Sequence, residues 1–258
     1  MDITIYQIGQ SINRLLDKQN VITNNIANAS TPGFKEKFAT ILTKKQRYCD
    51  IQQGQKNFLV QNVHECINTS AGLLKNTERS LDLAISKKNY WFIVKKNNDK
   101  KEYYTRNGNI HINEKQQLNI AGNILIGINN KPIIIPENIK IDILKNGSIV
   151  CHMNKNDQNI IKNIGIIKII HLKNHHMIPS KYGNLYTTNV INKKKSFFKK
   201  KKIKDIILSG FLEDSNVSLT DNMVNMISNA RLFEMNIKLI QYYNDNEKIA
   251  NKFMNINN

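Results

Sequence analysis

The chain has 258 residues, 40% of them hydrophobic, and a formal net charge of +18 at pH 7. This length supports one large or two modest domains with a buried core, and no run of about 18 apolar residues predicts a membrane-spanning helix. The charge favours a nucleic-acid or anionic-membrane partner, but Lys is enriched together with uncharged Asn and Ile, as in AT-rich coding sequences. The charge alone is therefore weak evidence of function.

The cysteines and the first residues of the chain bear on its compartment. Cys49, Cys66 and Cys151 are widely separated and odd in number, so they predict neither a disulfide framework nor a CxxC metal clamp. No short apolar core with a small-residue cleavage site follows Met1-Asp2. We therefore expect no cleaved signal peptide.

Residues 1–28 predict one long helix. Apolar residues recur at alternating spacings of three and four, with Gln19 in one polar slot, which is typical of a heptad seam. The apolar members of this predicted seam are Ile5, Ile8, Ile12, Leu15, Ile22 and Ile26.

An abrupt stop follows this helix. Pro32 disfavours a helical conformation at Thr31, and Gly33 permits a turn with positive φ. The amides of Asn24, Asn25 and Asn28 offer partners to the last helical carbonyls. An alternative interpretation makes Ser30 or Thr31 the cap of a new helix that begins at Pro32.

The middle of the chain has a different sequence pattern. Residues 35–80 lack periodicity and predict an extended connector. Residues 81–205 contain many short β-branched and aromatic runs separated by turn signals, which predicts a mainly antiparallel β domain. Asn107-Gly108 and Asn146-Gly147 are both strong hairpin signals, the first of them for a type I′ turn.

Residues 217–254, within a C-terminal segment of residues 206–258, predict a second long helix, capped by Ser218 or Thr220. Its heptad-like positions are Met223, Met226, Ala230, Phe233, Ile237 and Ile240, with Asn244 continuing the spacing. The predicted fold class is α+β: long N- and C-terminal helices (1–34 and 206–258) pair as a coiled coil, and the β domain lies between them. Arg231 and Glu234, three residues apart, predict an intrahelical or intersubunit ion pair, or else a solvated helix face.

Candidate catalytic and metal-binding groups are few. His171, His175 and His176 fall on a strand and a following loop without a nearby carboxylate or thiol, so surface histidines are the simpler interpretation. Cys151 and His152 are adjacent on a predicted strand and point to opposite faces, which excludes a nucleophile–base pair. No phosphate-binding glycine loop or nucleophile elbow is present, and we expect neither an enzyme nor a cofactor.

The stretch KKKSFFKKKKIK, from Lys193 to Lys204, is the most concentrated charge feature. Its lysines with Phe197 and Phe198 suit a phosphate backbone with stacked bases, or an anionic membrane. The simpler interpretation is a solvated loop.

Several motifs together resemble bacterial flagellar rod and hook proteins. The first is NNIANASTPGFK at residues 24–35, and the opening Met1-Asp2 with Ile5-Tyr6 is similar to the proximal-rod member of that family. The others, in chain order, are RSLDLAI (79–85) with Trp91-Phe92, YTRNG (104–108), SGFLEDSNVS (209–218) and NMISNARLFEMN (225–236). Residues 130–208 match the family pattern poorly.

The resemblance implies a structural protein of the flagellar basal-body rod. It implies export through the flagellar type III apparatus without a cleaved leader, assembly in the periplasm in a head-to-tail helical array with itself and other rod proteins, and neither a nucleic-acid partner nor a small-molecule substrate. The expected assembly interface comprises Ile5, Ile8, Ile12, Leu15, Ile22, Asn24, Asn25, Ile26, Asn28, Pro32, Gly33, Phe34, Met226, Arg231, Phe233, Glu234, Ile237 and Ile240.

Overall fold

The computed structural model describes residues 3–50, 54–96, 99, 101–136, 140–155, 158–172, 177–180, 183–188 and 206–255. Two helices lie at the ends of this part of the chain, α1 (Ile3–Ala27) and α2 (Leu219–Asn255). The first strands between them are β1 (Lys37–Asp50), β2 (Gly54–Ile67), β3 (Leu74–Asn76), β4 (Leu83–Ile85), β5 (Tyr90–Lys95), β6 (Glu102–Thr105), β7 (Ile110–Ile112), β8 (Leu118–Ile120) and β9 (Asn123–Leu125). The remaining strands are β10 (Lys140–Ile143), β11 (Ser148–Lys155), β12 (Gln158–Ile166), β13 (Ile169–His171), β14 (Met177–Pro179), β15 (Tyr186–Thr188), β16 (Ile207–Ser209) and β17 (Phe211–Glu213).

The chain divides into two compact units. The helical unit contains Met1–Ala27, Lys37–Glu65 and Ser218–Asn258, and the β unit contains Asn28–Glu36 and Cys66–Val217. Residues 35–80, expected as an extended connector, contain β1, β2 and β3, of which β1 and β2 form a two-stranded sheet. Neither described helix is long and apolar enough to cross a membrane.

The β unit is built from antiparallel strands around an aliphatic core. Its largest sheet has the path β14-β15-β6-β5-β9-β8-β7, with β13 also paired to β5, and β10-β11-β12 form a second sheet. Two short pairs, β16-β4 and β17-β3, join the last strands to early ones. Apolar side chains of several strands are fully buried, including Leu83, Phe92, Leu118, Leu125 and Ile149. The predicted mainly antiparallel β domain is confirmed.

The two Asn-Gly signals have different outcomes. At Asn146-Gly147 the prediction is confirmed, because β10 and β11 pair across this turn, and Gly147, with a φ of +81°, donates its N–H to the Leu144 carbonyl (2.8 Å). The hairpin predicted at Asn107-Gly108 is wrong. Strands β6 and β7 are not neighbours in the sheet, and neither residue has the positive φ that a type I′ turn requires.

The structure indicates no coiled-coil pairing of the terminal helices, so that part of the predicted fold class is wrong. Within residues 219–253 of α2, the buried positions are Asn222 and Asn229. Asn229 Nδ2 donates to the Leu15 carbonyl and to Gln19 Oε1, both at 2.9 Å. Asn25 Nδ2 likewise donates to Asn222 Oδ1 (3.3 Å), so amide side chains supply hydrogen bonds between the two helices.

Four of the six apolar positions predicted for the C-terminal seam are exposed instead. Met226 is 39% exposed, Ile237 is 36% exposed and Met223 is 48% exposed, while Phe233 and Ile240 are half-buried. A coiled coil needs apolar side chains inserted between those of the facing helix at these positions. The heptad spacing of the sequence is real, but in the described part of the chain most of these positions stay exposed.

Candidate assembly site

Helix α1 ends at Ala27 and is followed by a compact turn. The N–H of Thr31 donates to the Asn28 carbonyl (3.1 Å), and the N–H of Phe34 donates to the Thr31 carbonyl (3.2 Å). Gly33 has a φ of +68°, as its position after Pro32 predicts. The alternative of a new helix starting at Pro32 is wrong, because residues 28–33 are turns and a bend. We call residues 30–35 the exit turn.

Position 33 favours glycine for two reasons, because its φ is positive and because there is no room for a Cβ atom. A Cβ at this position would lie 2.2 Å from the Asn107 amide nitrogen and 2.3 Å from the Arg106 carbonyl carbon. The Gly33 N–H also donates to the Glu213 carbonyl at 2.6 Å. The exit turn is therefore pressed against two distant stretches of the β unit.

Three charged side chains meet beneath the exit turn, and we call Lys35, Arg106 and Glu213 the charge cluster. Lys35 Nζ lies 2.6 Å from Glu213 Oε1, and Arg106 Nε lies 2.8 Å from Glu213 Oε2. All three side chains are at most 4% exposed. Such buried pairs are costly to form and still more costly to break, because removing one partner leaves a charge without compensation.

The remaining polar atoms of the cluster are satisfied by backbone groups. Lys35 Nζ also donates to the Ser70 carbonyl (2.6 Å), and Glu213 Oε1 accepts the Gly72 N–H (3.0 Å). Arg106 donates to three carbonyls, those of Lys87 (3.0 Å), Tyr90 (2.7 Å) and Ile85 (3.2 Å). The cluster thus connects the exit turn to the loop between β2 and β3 and to the end of β4 with the loop that follows it.

Two aromatic side chains lie against the charge cluster. The backbone N–H of Lys35 donates to Tyr186 Oη at 2.9 Å, and Tyr186 meets Trp91 edge-on with ring centroids 5.2 Å apart. The Arg106 guanidinium lies 6.0 Å from the Trp91 ring centroid. Burial raises the pKa of Tyr186 well above its ordinary value. Burial also lowers the pKa of Lys35, against the opposing attraction of Glu213.

The sequence contains a signal for this cluster that the motif-based predictions did not use. Lys35, Arg106 and Glu213 each come from a different motif, namely TPGFK, YTRNG and SGFLED. None of the three charged residues was assigned a role from its motif. Three charged residues embedded in apolar or turn-forming motifs are candidates for mutual pairing, because isolated buried charges are strongly disfavoured.

The asparagines before the exit turn make specific contacts. Asn25 Nδ2 donates to the Lys37 carbonyl (2.7 Å), and the Lys37 N–H donates to Asn25 Oδ1 (2.9 Å). Asn28 Oδ1 accepts from the Thr31 hydroxyl (3.4 Å), and Asn24 is half-buried. Asn25 therefore serves the start of β1 rather than the last carbonyls of α1.

The predicted interface residues lie in both units. Phe34 is 1% exposed in the β unit, and Ile22 is buried in α1. Ile8, Ile12, Leu15 and Ile26 are half-buried, and the Ile5 side chain is outside the described part. Arg231 and Glu234 are exposed, and no ion pair joins them within this chain among the described residues. Their use in an interface stays a prediction.

Helix α2 carries large apolar side chains that the described chain does not cover. These exposed residues are Leu219, Met223, Val224, Met226, Ile227, Leu232, Met235, Ile237, Leu239, Tyr242, Tyr243, Ile249 and Phe253. Scattered exposed apolar residues are ordinary, but a continuous series along one helix marks an interaction surface.

The remaining candidate groups do not converge on a chemical site. Cys151 is buried and its thiol donates to the Lys162 carbonyl, while His152 is paired with Asp142, so the predicted opposite orientation is confirmed. Among the described residues, no group of three or more His, Cys, Asp or Glu side chains is arranged to hold a metal ion. His175, His176 and the stretch from Lys193 to Lys204 lie outside the described residues.

Comparison with known proteins identifies the family. The model of the flagellar basal body rod FlgEFG protein C-terminal family matches residues 208–253, and that of the flagella basal body rod protein family matches residues 12–35. Flagellar basal-body rod protein FlgF of Buchnera aphidicola subsp. Schizaphis graminum is 40% identical, and 100% of each chain is covered. FlgF of Salmonella typhimurium is 32% identical, with 99% of this chain and 100% of the relative covered. The chain therefore belongs to the FlgF family of flagellar basal-body rod proteins.

Proposed function

We propose that the chain is a structural subunit of the flagellar basal-body rod and assembles through its terminal helices with other rod proteins. The observation that carries this proposal is the exposed apolar series of α2. Leu232 and Leu239, which are seven residues apart on one helix face, are 42% and 48% exposed. Neighbouring subunits that cover such a surface would remove its apolar area from water, which favours association.

The exit turn contributes by fixing where the chain leaves the β unit. Gly33 lies six residues after the last residue of α1, and Glu213 lies six residues before the first residue of α2. Their backbone hydrogen bond holds the two connections side by side within the β unit. A subunit that repeats in an array benefits from connections of one fixed geometry, because every copy must present the same surfaces.

Three finer features belong to the same proposal. The opening residues and the RLFEM motif resemble the proximal-rod member of the family, which supports a position in the proximal rod. A head-to-tail array with itself and other rod proteins suits an axial structure built from heterologous contacts. Export through the flagellar type III apparatus without a cleaved leader would take the chain to the periplasm.

A nucleic-acid-binding or membrane-surface function is not favoured. Both alternatives depend on the stretch from Lys193 to Lys204, which lies outside the described residues. The full-length relatives are rod proteins, and neither alternative accounts for the exposed apolar series of α2.

Incorporation into purified basal bodies tests the proposal. In cells that lack the wild-type chain, we expect the double variant Leu232→Lys/Leu239→Lys to be made but to be depleted from the rods by at least about tenfold, because two charges would have to be buried at the interface. The matched control, Ile112→Lys/Ile134→Lys, makes the same chemical change at exposed positions of the β unit. Wild-type incorporation of the α2 variant would contradict the proposal.

A further inference from the structure

The charge cluster brings together residues that are far apart in the chain. Lys35 and Glu213 are separated by 178 residues, and Arg106 and Glu213 by 107 residues. The cluster contains two cations and a single carboxylate. Glu213 is thus the one member of the cluster that neutralises either of the other two.

Without Glu213, Lys35 and Arg106 would face each other in a site from which water is excluded. The two cations lie close together, because each binds one oxygen of the same carboxylate. Like charges in such surroundings repel strongly, because the local dielectric screens them little. The pairing with Glu213 converts this repulsion into two short ion pairs.

Glu213 also binds the exit turn through its backbone. Its carbonyl accepts the Gly33 N–H (2.6 Å), and its carboxylate accepts the Gly72 N–H (3.0 Å). Strand β17 ends at Glu213 and pairs with β3. The sheet therefore fixes the position of the Glu213 backbone. One residue therefore supplies both the backbone acceptor and the counter-ion that the exit turn needs.

We propose that Glu213 is a latch that makes closure of the exit turn conditional on the docking of the segment that precedes α2. While β17 is undocked, the exit turn lacks both the acceptor of the Gly33 N–H and the counter-ion of Lys35 and Arg106, so it cannot close over two uncompensated cations. When β17 pairs with β3, Glu213 neutralises both cations and the turn closes. Because synthesis runs from the amino terminus, an incomplete chain that ends before Glu213 keeps an open exit turn, and only a completed chain acquires the fixed connections to both helices.

This inference does not depend on rod assembly and is tested on the purified full-length monomer. Hydrogen–deuterium exchange followed by mass spectrometry compares residues 31–36, which include the Gly33 and Lys35 amides, with residues 90–95 of β5. In Glu213→Gln we expect exchange in residues 31–36 to be about 100-fold faster while β5 is unchanged, since loss of one partner of a buried pair opens the structure locally. The matched control, Asp214→Asn, removes a carboxylate one residue later and should leave both segments at wild-type rates.

A second variant tests the repulsion itself. In Lys35→Met/Glu213→Gln a single cation remains in the cluster, so exchange in residues 31–36 should be at least about tenfold slower than in Glu213→Gln alone. If Glu213 had a merely structural role, exchange in residues 31–36 of the double variant would be as fast as in Glu213→Gln alone, or faster. Wild-type exchange of the turn in Glu213→Gln, equal acceleration in residues 31–36 and β5, or no recovery in the double variant would each overturn the latch.

Discussion

In the β unit, charged side chains are buried and paired, whereas in α2 apolar side chains are exposed and uncovered. Lys35 and Glu213 are each 1% exposed, while Tyr242 and Phe253 are each 68% exposed. In most proteins charged side chains are exposed and large apolar side chains are buried. The comparison teaches that the exit turn is completed within one chain, whereas α2 keeps large apolar side chains that the described part of the chain leaves exposed.

Loss of the Glu213 carboxylate should produce the largest change in monomer stability. Glu213→Ala leaves the Lys35 and Arg106 charges buried without a counter-ion, and we expect the free energy of unfolding to fall by about 3–5 kcal/mol. Urea denaturation followed by the fluorescence of Trp91, the single tryptophan, measures the loss. Glu247→Ala on the exposed end of α2 is the control and should change stability by less than about 0.5 kcal/mol. Equal effects of the two variants would show that the cluster contributes no stability.

The exit turn should be the next most sensitive site. In Gly33→Ala the added Cβ meets the Asn107 amide nitrogen at 2.2 Å, and we expect a loss of about 2–4 kcal/mol from strain and displacement. Gly122→Ala is a matched control, because Gly122 has a φ of +80° but no atom within 4 Å of the added Cβ. Its loss should be only about 1 kcal/mol, the cost of the left-handed conformation alone. Similar losses in the two variants would mean that Gly33 is retained for conformation and not for space.

Local sequence signals predicted the features that depend on neighbouring residues. The helix expected over residues 1–28 is α1, Ile3–Ala27, and the turn chemistry of Pro32 and Gly33 appears as expected. Asn146-Gly147 forms its hairpin because β10 and β11 pair directly across it. Each of these outcomes is decided within a few residues of the signal.

Features that depend on distant contacts were missed. Asn107-Gly108 has the same dipeptide as the true hairpin, but a Cβ at Gly108 would lie 1.5 Å from the Leu83 carbonyl oxygen, so the glycine serves a close approach of two segments. The heptad spacing of α2 did not reveal whether the covering surface lies in the same chain. The pairing within the charge cluster was missed for the same reason, since its members are brought together only by the folded β unit.

The pH dependence of stability should report the buried charge of Lys35. Burial lowers the pKa of Lys35 below its ordinary value of 10.5, so the unfolded state binds more protons in the interval between the two pKa values, and stability rises with pH there. Wild type should therefore gain stability relative to Lys35→Met as the pH is raised from neutral toward 10. Tyr186, whose pKa is raised, opposes this gain only above its ordinary value of 10. Urea titrations at both ends of this pH range test this, and a parallel pH response of the two proteins would contradict it.

Truncation of the exposed α2 side chains should have the smallest effect on the monomer. We expect Leu232→Ala and Leu239→Ala to change the free energy of unfolding by less than about 0.5 kcal/mol, because the described residues leave 42% and 48% of these residues exposed. Leu118→Ala, at a fully buried position of the β core, should cost about 2–5 kcal/mol. A large loss at Leu239 would show that this side chain is covered within the monomer.

Hydroxyl-radical footprinting of α2 in the free monomer and in purified basal bodies tests the central claim most directly. Met235 and Tyr242, which are 53% and 68% exposed in the single chain, should be oxidised readily in the monomer and at least about fivefold more slowly in the rod, where neighbouring subunits would cover them. Ile134 of the β unit provides an internal reference. Equal oxidation of Met235 and Tyr242 in the two states would contradict assembly through this helix.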